Sequence, residues 1–285
     1  MNHIDADDFR VPHEKTVLYA SVAALVLILV LLFGITLGLI TIIVVIPVII
    51  VKVLQGQLLG KCIKVSKGQL PDVYKAATLA SERLCMKMPD VFVRQDPVIN
   101  AYALGLLGKR SVVLHSATVE SMTEEELISI IGHEFSHIKS GHTDWYVLTG
   151  SAVEKVKIPI ISPIMAFIFM FWSRKAEYTC DRGGLLASRN LKAVVSALAK
   201  TTVGRELFDK LSLEHFFEQK TDVDTDNIAK LSESLSTHPY VVNRIHAVRD
   251  FHESDIYRRL TSQVSQNERM TEKRQERPKS TYWSQ

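Results

Sequence analysis

No charged side chain occurs from Thr16 to Val51, and Lys15 and Lys52 bracket a run dense in Val, Ile and Leu. A run of this kind is the pattern of a bilayer-crossing segment. As one helix rising about 1.5 Å per residue it would reach about 54 Å, well beyond a hydrocarbon core of roughly 30 Å. The pattern therefore predicts a transmembrane hairpin over residues 16–53, with two short arms turning at Gly34, Thr36 and Gly38. A single long tilted helix is the other arrangement the run allows. Residues Met1 to Glu14 carry several acids in place of a basic n-region, and the apolar run is too long, so a cleavable signal peptide does not fit. A hairpin returns the chain to its starting side, and Lys52, Lys61, Lys64 and Lys67 favour the cytoplasmic face. The rest of the chain is expected there, on an inner, cytoplasmic membrane.

Beyond a polar connector over 54–70, Val73, Ala76, Ala77, Ala80 and Leu84 recur at helical spacing, predicting a helix from Pro71 to Met88 that Pro89 ends. Three β-like runs follow, Val91 to Gln95, Ala101 to Leu106 and Ser111 to His115, punctuated by Pro97, Gly105 and Gly108; they predict a small antiparallel sheet. Thr123 with Glu126 three residues on is a capping box. Leu127, Ile128, Ile130 and Ile131 give the next helix its apolar face and Gly141 its end, so residues 133–137 lie in a helix interior. Residues Asn190 to Lys200 and Arg205 to Gln219 read as amphipathic helices, with an acidic loop over Asp222 to Asp226. From Thr261 the chain is polar and expected to be disordered. The fold class is thus α+β, mainly helical, with one domain over 71–260 after the hairpin and a tail over 261–285.

Hydrophobic residues make up 47% of the chain, a share that this distribution explains by concentrating them. With 34 basic and 31 acidic residues the formal charge is only +3, and no nucleic-acid partner is expected. Cys62, Cys85 and Cys180 are odd in number and form no CxxC pair, which argues against a disulfide framework and against a cysteine zinc site. Cys180 is read as a small packing residue.

Residues 133–137 read HEFSH. Four apart on a helix, His133 and His137 share a face and can bind one metal ion, with Glu134 beside them as a general base toward water. The third ligand should be a carboxylate or histidine on a later element. Glu177 and Asp181, four apart in EYTCD, offer two candidates. Glu177 is assigned to the metal and Asp181 to the free ring nitrogen of a ligating histidine; the reverse assignment and an ordinary solvent-facing pair are the alternatives. His142, just past Gly141, is expected to cap the helix or to stand behind a ligand. The implied cofactor is one Zn²⁺ per chain.

At these residues the chain resembles the HtpX and CAAX prenyl protease group of membrane zinc peptidases, over most of residues 70–250. The matching segments are Asn100 to Ala103, EELISIIGHEFSHIKSGH from Glu125, EYTCD, and HPYVVNRI from His238 to Ile245. The resemblance implies a zincin-type metallopeptidase fold and a peptide or protein substrate. It makes Asn100, Ala101, Tyr102 and Ala103 the edge strand on which an extended substrate is laid, and His238 or Arg244 a donor to the oxyanion or to a metal-site carboxylate. The HtpX branch has two further spans between HExxH and the glutamate. Here only 158–172 is strongly apolar, short for a span and interrupted by Pro159 and Pro163. Ligands to one ion cannot be parted by a bilayer, so this segment is expected to pack against protein or the membrane surface. The function expected is a membrane-anchored zinc endopeptidase acting on membrane or membrane-proximal proteins, with the quality-control role that resemblance to HtpX implies. Prenylprotein processing and a non-catalytic metal-binding membrane scaffold are the competing readings.

Overall fold

The computed structural model describes residues 4–33, 37–106, 108–149 and 161–275. Its N-terminal segment leads into two apolar helices, α1 (Glu14–Phe33) and α2 (Leu37–Lys61). The turn expected at Gly34 and Thr36 lies outside the described residues. Among the described residues one stretch, Glu14–Leu31, is long and apolar enough to cross a membrane. Helix α2 runs through Gly56 and Gly60, so much of the expected connector is helical.

Strand β1 (Ile63–Lys64) and helix α3 (Pro71–Arg83) follow. Helix α3 stops five residues earlier than its pattern predicts: Leu84 closes it and Cys85 takes a left-handed φ of 49°. Strands β2 (Asp90–Arg94), β3 (Ala101–Leu106) and β4 (Lys109–His115) come next. The sheet order is β1-β2-β4-β3, with β2 and β4 parallel and the outer pairs antiparallel. The sheet is therefore mixed and not antiparallel as expected. Residues 95–100 carry the chain past the position of β4 before β3 begins, and the β3–β4 hairpin then folds back into the gap beside β2. Alternating polarity marks a strand; it does not name its neighbour. Val112, Val113 and Leu114 are all fully buried in β4, as a central strand covered on both faces requires. Val112 and Leu114 join the main core, whereas Val113, Phe92 and Leu104 pack with Val51 and Leu58 of α2.

The short α4 (Ser116–Ser121) precedes α5 (Glu124–Lys139). Thr123 and Glu126 form the expected capping box, and Lys200 Nζ meets buried Glu126 at 2.7 Å. Gly141, at φ +77°, turns the chain out of α5 and into α6 (His142–Thr149). Helix α7 (Ile161–Ser188) is 28 residues long, so the apolar segment from Ile161 on and EYTCD belong to one continuous helix. Phe169, Trp172 and Ala176 pack with Leu25 of α1. Helices α8 (Leu191–Val203), α9 (Arg205–Phe208), α10 (Leu213–Thr225), α11 (Asn227–Ser234), α12 (Val241–Glu253) and α13 (Asp255–Gln275) complete the chain. The expected acidic loop is instead the end of α10 followed by Asp226, whose carboxylate caps α11 through Ile228 N and Ala229 N. The expected disordered tail is helical to Gln275. Three apolar residues of α13, Tyr257 and Leu260 just before the tail and Val264 within it, sit at helical spacing and are buried.

Helices α5 and α7 cross at very short range. A Cβ on Gly132 would fall 2.3 Å from Ala187 Cβ, and one on Gly183 would fall 1.7 Å from Ser136 Oγ. Ser136 cannot easily give way, because it is fully buried with its hydroxyl on Gly132 O at 2.7 Å. Gly183→Ala is therefore expected to destabilise the fold by about 1–3 kcal/mol through overpacking. Gly60→Ala, with nothing within 4 Å, is expected to leave stability unchanged or raised. Thermal denaturation of the two variants checks this, and equal melting temperatures would contradict the tight crossing.

Candidate metal centre

The crossing sets the face of α5 that carries His133 and His137 against the middle of α7. The two Nε2 atoms are 3.1 Å apart. Glu177 reaches both: Oε2 is 3.6 Å from His133 Nε2, and Oε1 is 3.6 Å from His137 Nε2. Nitrogen and oxygen ligands about 2.0–2.1 Å from a tetrahedral metal lie about 3.3–3.4 Å from one another. The donor set thus fits a zinc-sized ion in both chemistry and spacing. Cys180 Sγ also falls within 4.8 Å of the two imidazole donors. Burial, reinforced by the nearby carboxylates, pushes this thiol well above its ordinary pKa, which disfavours the thiolate that metals bind.

Each side chain has a second partner that aims it. His133 Nδ1 lies 3.0 Å from Asp181 Oδ1. Asp181 is gripped from behind by Arg244, whose Nε and terminal nitrogen donate to its two oxygens at 2.8 and 2.6 Å. Arg244 also stands 3.2 Å from Glu177 Oε2, and His238 Nδ1 is 3.4 Å from Glu177 Oε1. Burial alone would raise the Glu177 pKa; the positive charges of His238 and Arg244 outweigh it and hold this carboxyl well below its ordinary range. Burial and the neighbouring His133 push His137 well below its usual pKa, keeping its imidazole neutral, the form that ligates metals.

Glu134 is buried beside the pair, and desolvation lifts its pKa to about 7 against the opposing charge of His133. The backbone amide of Ala103 donates to it. Strand β3 is a sheet edge, so its unpaired side faces the cluster. The structure brings Ala103 to Glu134, but it ties Asn100 elsewhere: Thr118 and His115 take up its backbone groups, and its side chain accepts from Ala101 N. Tyr102 turns the other way, toward the cluster that holds Val113. His238 is brought to the edge of the site with its side chain 67% exposed, while Arg244 is mostly covered, with 13% of its side chain exposed.

Three further contacts extend the site, two of which, those of Tyr146 and Glu14, were not foreseen from the sequence. Tyr146 of α6 lays its ring 5.4 Å from that of His137. His142 places Nδ1 3.2 Å from His137 Nδ1, and its Nε2 lies 2.9 Å from Glu14 Oε1. The position of His142 behind a histidine was among the expectations, but Glu14, flanking an apolar run, carries no local signal of a partner 128 residues away.

The model of peptidase family M48 matches residues 69–252. The chain is 30% identical over 278 residues to plastoglobule-localized metallopeptidase 48, chloroplastic, of Arabidopsis thaliana, covering 92% of this chain and 77% of that one. It is 27% identical over 218 residues to a protease HtpX homolog of Bacteroides fragilis, covering 60% and 66%. To a protease HtpX homolog of Streptococcus uberis it is 23% identical over 236 residues, covering 67% and 77%. The convergent histidines and carboxylates of α5 and α7 lie inside the matched region, and the chain belongs to peptidase family M48, as a metalloprotease that hydrolyses peptide bonds.

Proposed function

We propose that this metalloprotease is a membrane-anchored zinc endopeptidase in which His133, His137 and Glu177 hold one Zn²⁺ and Glu134 is the general base. The observation that carries this is the spacing of the three donors, 3.1 and twice 3.6 Å, with the buried Glu134 carboxylate beside them on the amide of edge strand β3. A zinc ion held there supplies Lewis acidity toward water and a substrate carbonyl. Glu134 takes the proton of the attacking water and passes it to the leaving nitrogen, a task suited to a carboxyl whose pKa burial has lifted to about 7. The substrate lies extended along β3, pairing its backbone with the free edge as an added strand. Ala101 and Ala103, packed on the α5 side of β3, keep that approach narrow but unblocked. Exposed His238, with Nδ1 against Glu177, offers its other ring nitrogen to the developing oxyanion, whereas Arg244, committed to Asp181 and Glu177, positions the carboxylates.

The anchor is the hairpin over 16–53, whose first arm lies within the Glu14–Leu31 stretch, along which Tyr19, Val26, Leu27, Val30 and Leu31 are exposed. Phe167 and Phe171 are exposed on the first half of α7, beside it. Large apolar side chains in such number facing outward fit lipid better than water. On this reading the catalytic domain faces the cytoplasm and its substrates are membrane or membrane-proximal proteins, in keeping with a quality-control role.

Glu134→Gln is expected to cut kcat by about 10²–10⁴-fold with zinc content intact; undiminished cleavage of casein by a pure sample would refute the base. Wild type should carry one zinc by elemental analysis, and Glu177→Ala should lose it. Loss from Cys180→Ser with retention in Glu177→Ala would instead make Cys180 the third ligand. Full-length protein is expected to stay in the membrane fraction through an alkaline carbonate wash, and recovery in the soluble fraction would remove the anchor from this account.

A further inference from the structure

We propose that Glu14, at the end of the segment that precedes the apolar part of α1, positions the metal ligand His137 through His142, so that the N-terminal segment is a working part of the active site. The inference rests on reading His133, His137 and Glu177 as the metal set.

The segment before α1 is short and rich in charge, yet Ile4, Ala6 and Phe9 are buried, Ile4 and Phe9 in the main core. It is tied along α7. Val11 N donates to Thr179 Oγ1 at 3.2 Å, and Arg182 donates to the carbonyls of Phe9 and Arg10 at 3.4 and 3.2 Å. Glu14 thereby enters the protein with only 1% of its surface exposed. A carboxylate taken out of water needs donors on both oxygens. Arg10 and His142 Nε2 meet Oε1, and the Thr179 hydroxyl meets Oε2. His142 is equally buried, at 1%, and its other ring nitrogen faces His137 Nδ1.

One arrangement of protons satisfies this chain of contacts. His142 donates Nε2–H to Glu14, which leaves its Nδ1 lone pair to accept Nδ1–H from His137. The lone pair of His137 Nε2 is then directed at Glu177 and His133. The thiol of Cys180, 3.5 Å from His142 Nδ1, is the remaining polar neighbour of that nitrogen. On the other side of the site the same logic takes one step, from His133 Nδ1 to Asp181 and its arginine. Each ligand imidazole thus ends in an arginine-paired carboxylate, directly for His133 and through a second imidazole for His137. Without Glu14, His142 is free to carry its proton on Nδ1. It would then donate toward His137 Nδ1 and drive that residue's proton onto Nε2, the atom the metal requires bare.

The test measures zinc affinity of full-length protein by competition with a chelator, using zinc alone, beside the melting temperature of the metal-free protein. Glu14→Ala and His142→Ala are each expected to weaken zinc binding by about 10–100-fold, and the double variant no more than the worse single. Glu14→Gln, which keeps an acceptor but not the charge, should fall between wild type and Glu14→Ala, and it decides the matter if Glu14→Ala does not fold. Ile4→Ala, which loosens the segment without touching the relay, should lower the melting temperature and leave zinc affinity within about twofold. Unchanged affinity in folded Glu14→Ala or Glu14→Gln, with His137→Ala losing zinc, would overturn the relay. So would an equal loss in Ile4→Ala, since the segment would then act only by holding the fold. If His137→Ala itself binds zinc as wild type does, the metal-set reading fails, and the relay falls with it.

Discussion

The arrangement depends on one close contact, the crossing of α5 and α7 at Gly132 and Gly183. Ligand convergence is a matter of tenths of an ångström, since donors to one small tetrahedral ion stand about 3.3–3.4 Å from one another, close to the 3.1 and 3.6 Å found here. Histidines four apart on a helix meet this requirement by helix geometry alone. A carboxylate from a second helix meets it only if the two backbones come closer than side chains normally permit, and bare Cα positions at the crossing allow that. The buried Ser136 hydroxyl fills the space the glycines leave and fixes the register along both helices. Slippage of α7 by one residue would turn Glu177 about 100° away from the histidines.

Electrostatics adds the second constraint. Glu177, Asp181, Glu134 and Glu14 are four carboxylates buried within or just behind one site. Such a cluster is tolerable because each has cationic or hydrogen-bonding company: Arg244 and His238 for Glu177, Arg244 and His133 for Asp181, Arg10, Thr179 and His142 for Glu14. Glu134 has the least, a backbone amide and the field of His133, and it is the one whose pKa rises. Uneven compensation separates the roles. The pKa values of the well-paired carboxylates are held down, while that of the poorly paired one is lifted to about 7, which suits the proton transfer proposed for it.

Much of this was legible in the sequence where the signal is local. The capping box at Thr123, the stop at Gly141 and the histidine spacing each state their consequence within one or two helical turns, and all three hold. The ExxxD pair was legible by the same helical arithmetic once a second ligand-bearing helix was sought. What escaped was tertiary. The parallel pairing of β2 with β4 depends on where a six-residue connection goes, and the order in α13 depends on three apolar residues finding a core the local composition does not reveal. Glu14 escaped for the same reason. In the chain it is one of several acids flanking an apolar run, and only the fold delivers it, through the docked segment, to a histidine behind the metal site.

Helix α7 links chemistry to location. The segment 158–172 was too short to span a bilayer, and the helix explains why it need not. From Ile161 on, the apolar stretch is the first part of a rod that continues without a break into Glu177 and Asp181. Phe171, exposed, and Glu177, buried, are six residues apart, about 9 Å along the axis. If the exposed face around Phe167 and Phe171 lies against lipid beside α1, the proposed zinc sits about two helical turns from that surface. On that proposal β3 would meet polypeptide close to where it leaves a membrane, and the site could not withdraw from the bilayer without unpacking Phe169 and Trp172 from Leu25. The proposed anchor would then select which peptide bonds reach Glu134 as well as where the enzyme resides.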